Sequence, residues 1–213
     1  MDSTLLLSEI AEEVKICQRC ELHHLRKNAV PGEGPADAKI MFIGEGPGFH
    51  ENEQGRPFVG QAGKFLDELL AAAGLLRKQV FIANVVKCRP PGNRDPKEEE
   101  LAACADFLER QIAAIKPRII VTLGRFSMAR YMPLAKISQV HGKPIWDDER
   151  LIVPMYHPAA ALHQPPLKAT LISDFRRLPE WVKQVEERHP RQSVEAKQTE
   201  KPEKPTPSQL TFF

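Results

Sequence analysis

Four short apolar segments constrain the fold of this chain most strongly, because each runs directly into a glycine-bearing or polar motif. They are Ile40-Met-Phe-Ile43 before Gly44-Glu-Gly-Pro-Gly48, Val80-Phe-Ile82 before Asn84, Ile119-Ile-Val121 before Gly124, and Leu151-Ile-Val153 before Tyr156-His-Pro158. Helical stretches alternate with them, which predicts an α/β fold: a three-layer α/β/α sandwich with a central, mainly parallel four-stranded sheet. Ligands of such sheets bind beyond the carboxyl ends of the strands, so residues 44–48, Asn84 and His157 should converge on one pocket.

The helices between these strands are predicted from the spacing of apolar residues and from capping signals. They cover about residues 3–14, 64–73, 95–116, 125–131 and 167–184. Gly74 is expected to follow the second helix as its C′ residue. Asp95, Pro96 and Glu98 fit the N-cap, N1 and N3 positions of the third. Residues 137–146 are expected to be irregular or to form an edge strand.

Size and charge exclude several classes of protein. A chain of 213 residues holds one sizeable core, and a hydrophobic content of 42% fits a globular protein. A net charge of +2 gives no general attraction to polyanions, so any nucleic-acid contact depends on local basic runs such as residues 87–94. The apolar runs are too short to span a membrane, and the amino terminus lacks the basic region of a signal peptide. We therefore expect no membrane association and a cytoplasmic location.

The composition changes near residue 187, which divides the chain into two expected regions. Beyond this point Lys, Glu, Pro, Gln and Ser dominate, and large apolar residues nearly vanish. Such a segment buries too little apolar surface to fold alone. We therefore predict one domain over residues 1–186 and a disordered tail over residues 187–213.

Four cysteines form a second constellation. Cys17 and Cys20 are a C-x-x-C pair, Cys88 follows the second strand, and Cys104 lies in the third predicted helix. In a reducing compartment these residues are not expected to form structural disulfides. Their spacing is compatible with three interpretations: two buried pairs of free thiols, a four-thiolate zinc site, or an iron–sulfur cluster.

The motifs at the strand ends carry polar groups suited to a flat ligand. Residues 44–48 fail the dinucleotide-binding glycine pattern at its last position and lack the lysine of a phosphate loop. Their glycines can instead let backbone N–H groups approach a ligand closely. Asn84 offers an acceptor and two donors, which match the imide edge of uracil, although a turn-forming asparagine fits the position equally well. His157 is either a donor to an oxyanion or an ordinary loop histidine.

Three further side chains are candidates for the same pocket. Phe58 either stacks on a base or belongs to the core. Glu45 and Glu51 each have two readings: a carboxylate that orients a water or opposes a developing cation, or a solvated loop charge.

Together these motifs resemble those of the family 4 uracil-DNA glycosylases, the iron–sulfur members of the uracil-DNA glycosylase superfamily. The matching segments are Gly44-Glu-Gly-Pro-Gly48 with Glu51, Gly55-Arg-Pro-Phe-Val-Gly-Gln-Ala-Gly63, Asn84-Val-Val-Lys-Cys-Arg-Pro-Pro91 and His157-Pro-Ala-Ala-Ala161. They occur in the family's order, and the match spans roughly residues 17–181. The chain departs from the family pattern at Asn52, where many relatives have aspartate.

The resemblance implies a DNA repair enzyme that flips uracil out of DNA and hydrolyses its N-glycosidic bond, leaving an abasic site. It implies a [4Fe-4S] cluster rather than zinc, on Cys17, Cys20, Cys88 and Cys104. The residues expected to bind uracil are Gly44, Glu45, Gly46, Phe58, Asn84 and His157. His157 is the expected donor to the uracil O2, and Glu45 and Glu51 compete to orient the attacking water. Residues 158–162 are small and apolar, which suits a wedge into the gap left by the flipped base.

Two alternatives stay open. One is a noncatalytic iron–sulfur protein that binds nucleic acid on the same fold, and the other is a glycosylase that accepts a broader set of deaminated bases. A monomer is expected in each case.

The end of the tail resembles a second motif. Gln209-Leu-Thr-Phe-Phe213 is similar to the bacterial sliding-clamp-binding pattern Gln-Leu-x-Leu-Phe and departs from it at Phe212. In such a peptide Gln209 fixes the register, while Leu210, Phe212 and Phe213 enter an apolar groove. The resemblance implies a sliding clamp as a possible partner, and association with the bacterial nucleoid during repair.

Overall fold

The computed structural model describes residues 2–188, which form a five-stranded sheet between two layers of helices. The strands are β1 (Ile40–Gly44), β2 (Phe81–Asn84), β3 (Ile119–Leu123), β4 (Ile145–Asp147) and β5 (Arg150–Met155). Their order is β2-β1-β3-β5-β4, and all neighbours are parallel except β4 and β5. The predicted α/β/α sandwich with a mainly parallel sheet is confirmed.

The predicted number of four strands is wrong, because β4 adds a fifth. This strand has only three residues, all exposed, and pairs antiparallel with β5 through a two-residue turn in which Asp148 has a φ of 53°. A strand this short and exposed lacks the apolar run that identifies a buried strand. The prediction left its segment as either irregular or an edge strand.

Nine helices occur within residues 2–188. They are α1 (Ser3–Ile16), α2 (Phe49–Gln54), α3 (Gln61–Ala72), α4 (Glu98–Ile115), α5 (Arg125–Ala129), α6 (Ile137–Val140), α7 (Pro158–His163), α8 (Pro166–Arg176) and α9 (Leu178–Arg188). Gly74, with a φ of 69°, follows the end of α3 as predicted. The single helix predicted near the end of the domain is instead the pair α8 and α9, which meet at Arg177. Helix α9 extends two residues past the predicted domain boundary at 186.

The start of α4 differs from the prediction that placed Asp95 at its N-cap. The N-cap is Lys97, whose N–H donates to the Glu100 carboxylate at 2.8 Å. Glu100 is buried and also accepts two hydrogen bonds from Arg94, while Asp95 forms an ion pair with Arg125. The buried Glu100 carboxylate, held by Arg94 and by the Lys97 N–H, therefore sets the first turn of the helix.

Both faces of the sheet are buried because successive strand residues point to opposite layers. Phe42, Val121 and Val153 pack against the layer of α3, α8 and α9, whereas Ile120 and Ile152 pack against α4. Burial on both faces explains why the strands read as continuous apolar runs.

Helix α1 packs on α4 and forms a third apolar cluster. Ile10 and Val14 of α1 meet Phe107 of α4, and Cys88 and Cys104 belong to the same cluster. Two hydrogen bonds from Arg110 to Glu13, at 2.5 and 2.6 Å, join the helices at the surface. In the described part of the chain, no helix has the length and apolarity needed to cross a membrane.

Candidate active site

A pocket of about 390 Å³ opens beyond the carboxyl ends of β1, β2 and β5. Its wall includes six of the residues predicted for the site: Glu45, Gly46, Glu51, Phe58, Asn84 and His157. The parallel strands bring these residues together from distant parts of the sequence, as expected for ligand sites in open α/β sheets.

Gly44 lies directly beneath this pocket. A Cβ atom at this position would lie 2.8 Å from two carbons of the Phe58 ring and would overlap the Oδ1 atom of Asn84. Only glycine therefore lets the Phe58 ring and the Asn84 carboxamide approach the end of β1 together.

Phe58 is held in a strained conformation at the base of the pocket. Its φ of 50° is unusual for a bulky residue, and its side chain is only 5% exposed. Gly63 has no room for a side chain against the Phe58 backbone, and Arg77 donates to the Phe58 carbonyl at 3.0 Å. The ring lies 5.5 Å from that of His157, with an angle of 27° between the planes. Strain of this kind persists where the surroundings impose it, often at functional sites.

Asn84 lines this pocket and carries a buried side-chain oxygen that has no partner among the described residues. The residue is 2% exposed, and within residues 2–188 its Oδ1 atom has no hydrogen-bond partner. Leaving a buried acceptor unpaired costs about 1–3 kcal/mol. The backbone around it is fixed, because the Val85 and Val86 N–H groups donate to the carbonyls of Gly44 and Glu45, both at 3.1 Å. A rigid, unpaired acceptor in a pocket is suited to a ligand that brings a donor.

His157 is a neutral donor. It is the N-cap of α7, and its Nδ1 atom accepts the Ala159 N–H at 3.1 Å, which leaves the proton of the neutral ring on Nε2. Burial lowers the pKa of His157 to about 4, although the negative charge of Glu51 acts in the opposite direction. The Nε2–H group is therefore available as a hydrogen-bond donor at neutral pH.

Glu51 is anchored by the start of α3. One carboxylate oxygen, Oε1, accepts the N–H groups of Val59 and Gly60, both at 2.8 Å. The other oxygen lies beside Gly48, where a Cβ atom would be only 2.8 Å from it. The carboxylate thus has a fixed direction, with one oxygen committed to the backbone.

Glu45 lies in a different environment on the same wall. Burial raises the pKa of this carboxyl above its usual value, Asp95 raises it further, and Arg125 opposes both effects. The two carboxylates of the pocket therefore differ in how they are held, which is common where two acids have different tasks.

The four cysteines line a separate cavity between the end of α1, the exit of β2 and α4. All four are free thiols; Cys88 and Cys104 are buried, and Cys17 and Cys20 are partly exposed. Burial raises the pKa of the Cys104 thiol to about 11, so its thiolate requires a positively charged partner such as a metal.

Three donors already point at these sulfurs. The Cys104 sulfur accepts the Lys87 N–H at 3.3 Å, the Cys88 sulfur accepts an Arg26 N–H at 3.4 Å, and the Cys17 sulfur accepts the Arg19 N–H at 3.5 Å. No group of three or more His, Cys, Asp or Glu side chains in residues 2–188 is placed to hold a metal ion. The four thiols nevertheless line one cavity, and donors point at three of the sulfurs.

Comparisons with known proteins decide the family. The model of the uracil DNA glycosylase superfamily matches residues 31–177. The chain is 51% identical over 184 residues to a type-4 uracil-DNA glycosylase of Saccharolobus solfataricus, covering 82% of this chain and 85% of the relative. It is 45% identical over 183 residues to the type-4 enzyme of Archaeoglobus fulgidus, covering 82% of this chain and 92% of the relative. The chain belongs to the type-4 uracil-DNA glycosylases. The resemblance drawn from the motifs is confirmed.

A third type-4 uracil-DNA glycosylase, from Thermotoga maritima, is 43% identical over 183 residues, covering 84% of this chain and 95% of the relative. The similarity therefore extends over nearly the full length of these relatives.

Asn52, the departure from the type-4 motif, has a structural task. The residue is 6% exposed, and its Oδ1 atom accepts the Lys27 N–H at 3.0 Å, while Asn28 donates to its carbonyl at 2.9 Å. An uncharged amide at this position ties α2 to the segment that follows the first cysteine pair.

The structure also places in this type-4 pocket residues that the motifs did not single out. Phe49, His50, Gln61 and Asn93 belong to its wall. Phe49 is 52% exposed, with the Arg89 guanidinium 5.3 Å from the centre of its ring. The available signal in the sequence was the position of this aromatic residue directly after the glycine-rich segment.

Proposed function

We propose that this chain removes uracil from DNA by hydrolysing the bond between the base and deoxyribose. The observation that carries the proposal is the buried, unpaired Oδ1 atom of Asn84, in the same pocket as the Nε2–H donor of His157. A base with an N–H between two carbonyls satisfies both groups at once. Uracil has this pattern, and the relatives named above are uracil-DNA glycosylases.

Base recognition would use the floor and one wall of the pocket. Asn84 accepts the N3–H of a flipped uracil with Oδ1, and its amide group lies on the side of O4. The Phe58 ring stacks on the face of the base. Gly44 and Gly46 keep the backbone free of side chains here, since a Cβ atom would collide with Asn84 and Phe58 at Gly44 and with the buried Val86 at Gly46. Extruding the base costs a few kcal/mol, which these contacts offset.

Bond cleavage leaves negative charge on uracil and positive charge on the sugar. His157 donates from Nε2 to the uracil O2 as the C–N bond breaks, and one such donor is worth about 3–4 kcal/mol in an enclosed site. A water molecule then attacks the sugar carbon, and the proton that it loses neutralises the departing uracil anion, which gives an abasic site and free uracil. Of the two candidate carboxylates, Glu51 is the better placed to orient this water because its direction is fixed by Val59 and Gly60. The Glu45 carboxylate stabilises the positive charge that develops on the sugar.

A glycosylase assay tests this function. The substrate is a labelled oligonucleotide with one uracil, and the readout is strand cleavage at the abasic site after alkali treatment. Matched oligonucleotides with cytosine or thymine at the same position are the controls. Cleavage at uracil alone supports the proposal, and DNA binding without cleavage at any base would establish the noncatalytic alternative. Hypoxanthine and xanthine substrates, as single and double strands, test the broader base preference.

The four cysteines are proposed to hold a [4Fe-4S] cluster. The donor set supports it, because four thiols line one cavity and N–H groups point at three of the sulfurs. When bound, the cluster supplies a cross-link between the end of α1, the segment after β2, and α4. It has a structural role in this scheme and takes no part in breaking the glycosidic bond.

The cluster proposal predicts colour and iron. Protein purified without oxygen should be brown, absorb broadly in the visible range, and contain four iron atoms per chain. Replacing the buried Cys104 with alanine should remove both the colour and the iron, because three thiolates remain and one side of the cavity loses its ligand. A colourless protein that contains zinc and excises uracil at full rate would contradict the proposal.

The sliding clamp is the proposed partner of Gln209, Leu210, Phe212 and Phe213, which lie outside the described residues. The support is the sequence alone: a glutamine-led apolar pentapeptide after about 20 polar residues. A linker of this length would keep the enzyme near DNA and raise its local concentration there. A monomeric enzyme with its domain in residues 1–186 is proposed, acting in the cytoplasm on the nucleoid because its substrate is chromosomal DNA.

Deleting residues 209–213 should abolish clamp binding and leave excision from a short oligonucleotide unchanged. A single short motif is expected to bind with a Kd near 1 μM, or about −8 kcal/mol, measurable by calorimetry. A full-length chain with Gln209 and Phe213 replaced by alanine is the matched control, because it removes the motif without shortening the tail. Equal clamp binding by the truncated and full-length proteins would show that the motif has no role.

A further inference from the structure

Lys87 is a buried cation between the two functional regions of the molecule. Its side chain is 1% exposed, and its Nζ atom donates to the Asn84 carbonyl at 3.0 Å and to the Gln111 Oε1 atom at 2.7 Å. Both acceptors are neutral, and within residues 2–188 no carboxylate forms a salt bridge with this lysine. A buried charge without a counter-ion destabilises a fold unless its position serves some other purpose.

The backbone of Lys87 belongs to the thiol cavity. Its N–H donates to the Cys104 sulfur at 3.3 Å, and the next residue is Cys88. On the other side, the Lys87 carbonyl accepts the Val30 N–H at 2.7 Å. The backbone of this residue is therefore held by the Cys104 sulfur, by its bond to Cys88 and by the Val30 N–H.

The side chain of Lys87 contacts a residue of the base pocket, although Lys87 does not itself line that pocket. It reaches back three residues to the carbonyl of Asn84, the last residue of β2. This carbonyl belongs to the same residue whose Oδ1 atom is unpaired in the pocket. Gln111 fixes the ammonium from α4, and its own amide donates to the Pro31 carbonyl at 2.8 Å.

We propose that Lys87 is a positioning residue that couples the thiolate site to base recognition. This inference rests on the proposed function. The ammonium bond holds the peptide plane after Asn84 and so fixes the direction in which the carboxamide enters the pocket. The backbone N–H of the same residue donates to the Cys104 sulfur, so Lys87 contacts both sites at once. Fixing the positions of the cysteine ligands thereby fixes the position of Asn84, the residue that recognises the base.

The test replaces Lys87 with methionine, which keeps most of the volume and removes the donor. The single-turnover excision rate should fall by about 10- to 100-fold, and the inhibition constant for free uracil should rise by a similar factor. Iron content and the affinity for DNA should stay at wild-type values. A lysine needed only for folding would instead lower iron content or solubility and leave the properties of correctly folded molecules unchanged.

A double-mutant cycle with Asn84→Ala separates action through Asn84 from independent action. If Lys87 acts through Asn84, Lys87→Met should change the rate less than about threefold in the Asn84→Ala background. An equal loss in both backgrounds, or an unchanged rate in the iron-loaded single variant, would overturn the inference. Lys39→Met is the matched control, because Lys39 is an exposed lysine paired with Glu186 at the surface.

If Lys87→Met does not load iron, Gln111→Leu decides instead. That variant keeps the lysine and removes the second hydrogen-bond acceptor of its ammonium group. A loss of excision rate that is smaller than that of Lys87→Met and disappears in the Asn84→Ala background would support the inference. An unchanged excision rate would overturn it. A wild-type protein that excises no uracil would refute the proposed function. Uracil excision by wild type, with no effect of either variant, would refute this inference alone.

Discussion

Replacing His157 with alanine should slow uracil excision in a single turnover by about 10²- to 10³-fold while changing DNA affinity only slightly. The reason is that Nε2–H stabilises charge that appears on the uracil O2 only as the bond breaks. Because burial lowers the pKa of this histidine to about 4, the wild-type rate should show no inflection near pH 6.5, the ordinary pKa of a histidine. Rates at saturating enzyme, measured from pH 5 to 8, check both statements.

His163→Ala is the matched control, because this histidine ends the same helix but is exposed. Any contact of His163 with DNA should change affinity rather than the rate of the chemical step. A His157→Ala variant whose rate stays within a fewfold of wild type would remove His157 from the mechanism. A variant that loses DNA affinity in proportion to its rate would assign it to binding instead.

The position of the pocket could be predicted from the sequence because it follows from topology. Apolar runs without polar interruptions predict strands buried on both faces, such strands are parallel, and parallel strands end at the same edge. Asn84 and His157 then had to lie near the glycine-rich segment after β1. The structure places all three in one pocket.

What the sequence could not predict depends on contacts between distant residues. The left-handed conformation of Phe58 occurs where its backbone packs closely on Gly63, and the start of α4 is set by hydrogen bonds between the buried Glu100 and the partly exposed Arg94. Neither has a local signal. In the sequence Lys87 belongs to a basic run, which suggests an exposed residue. In the structure it is buried, and its ammonium group is bound by acceptors on Asn84 and Gln111 that become neighbours only after folding.

The second large effect is expected at Asn84. Asn84→Ala should lower the excision rate by at least about 10²-fold, because a site built around a hydrogen bond loses both the contact and the discrimination that depends on it. The unpaired Oδ1 atom is central to this expectation. The native pocket tolerates an unsatisfied acceptor, and the uracil N3–H removes that penalty on binding. Satisfying this acceptor therefore contributes to the free energy gained when uracil binds.

Asn84→Leu separates the hydrogen bond from the volume of the side chain. Leucine fills nearly the same space, so Gly44 and Phe58 keep their packing, but it provides neither acceptor nor donor. If recognition depends on hydrogen bonding, both variants lose excision, and Asn84→Leu unfolds at a temperature equal to or above that of wild type, because an unpaired buried oxygen has been removed. A leucine variant that excises uracil at the wild-type rate would show that shape alone selects the base. If Asn84→Leu is more stable than wild type and has lost activity, Asn84 contributes to recognition and lowers the stability of the native protein.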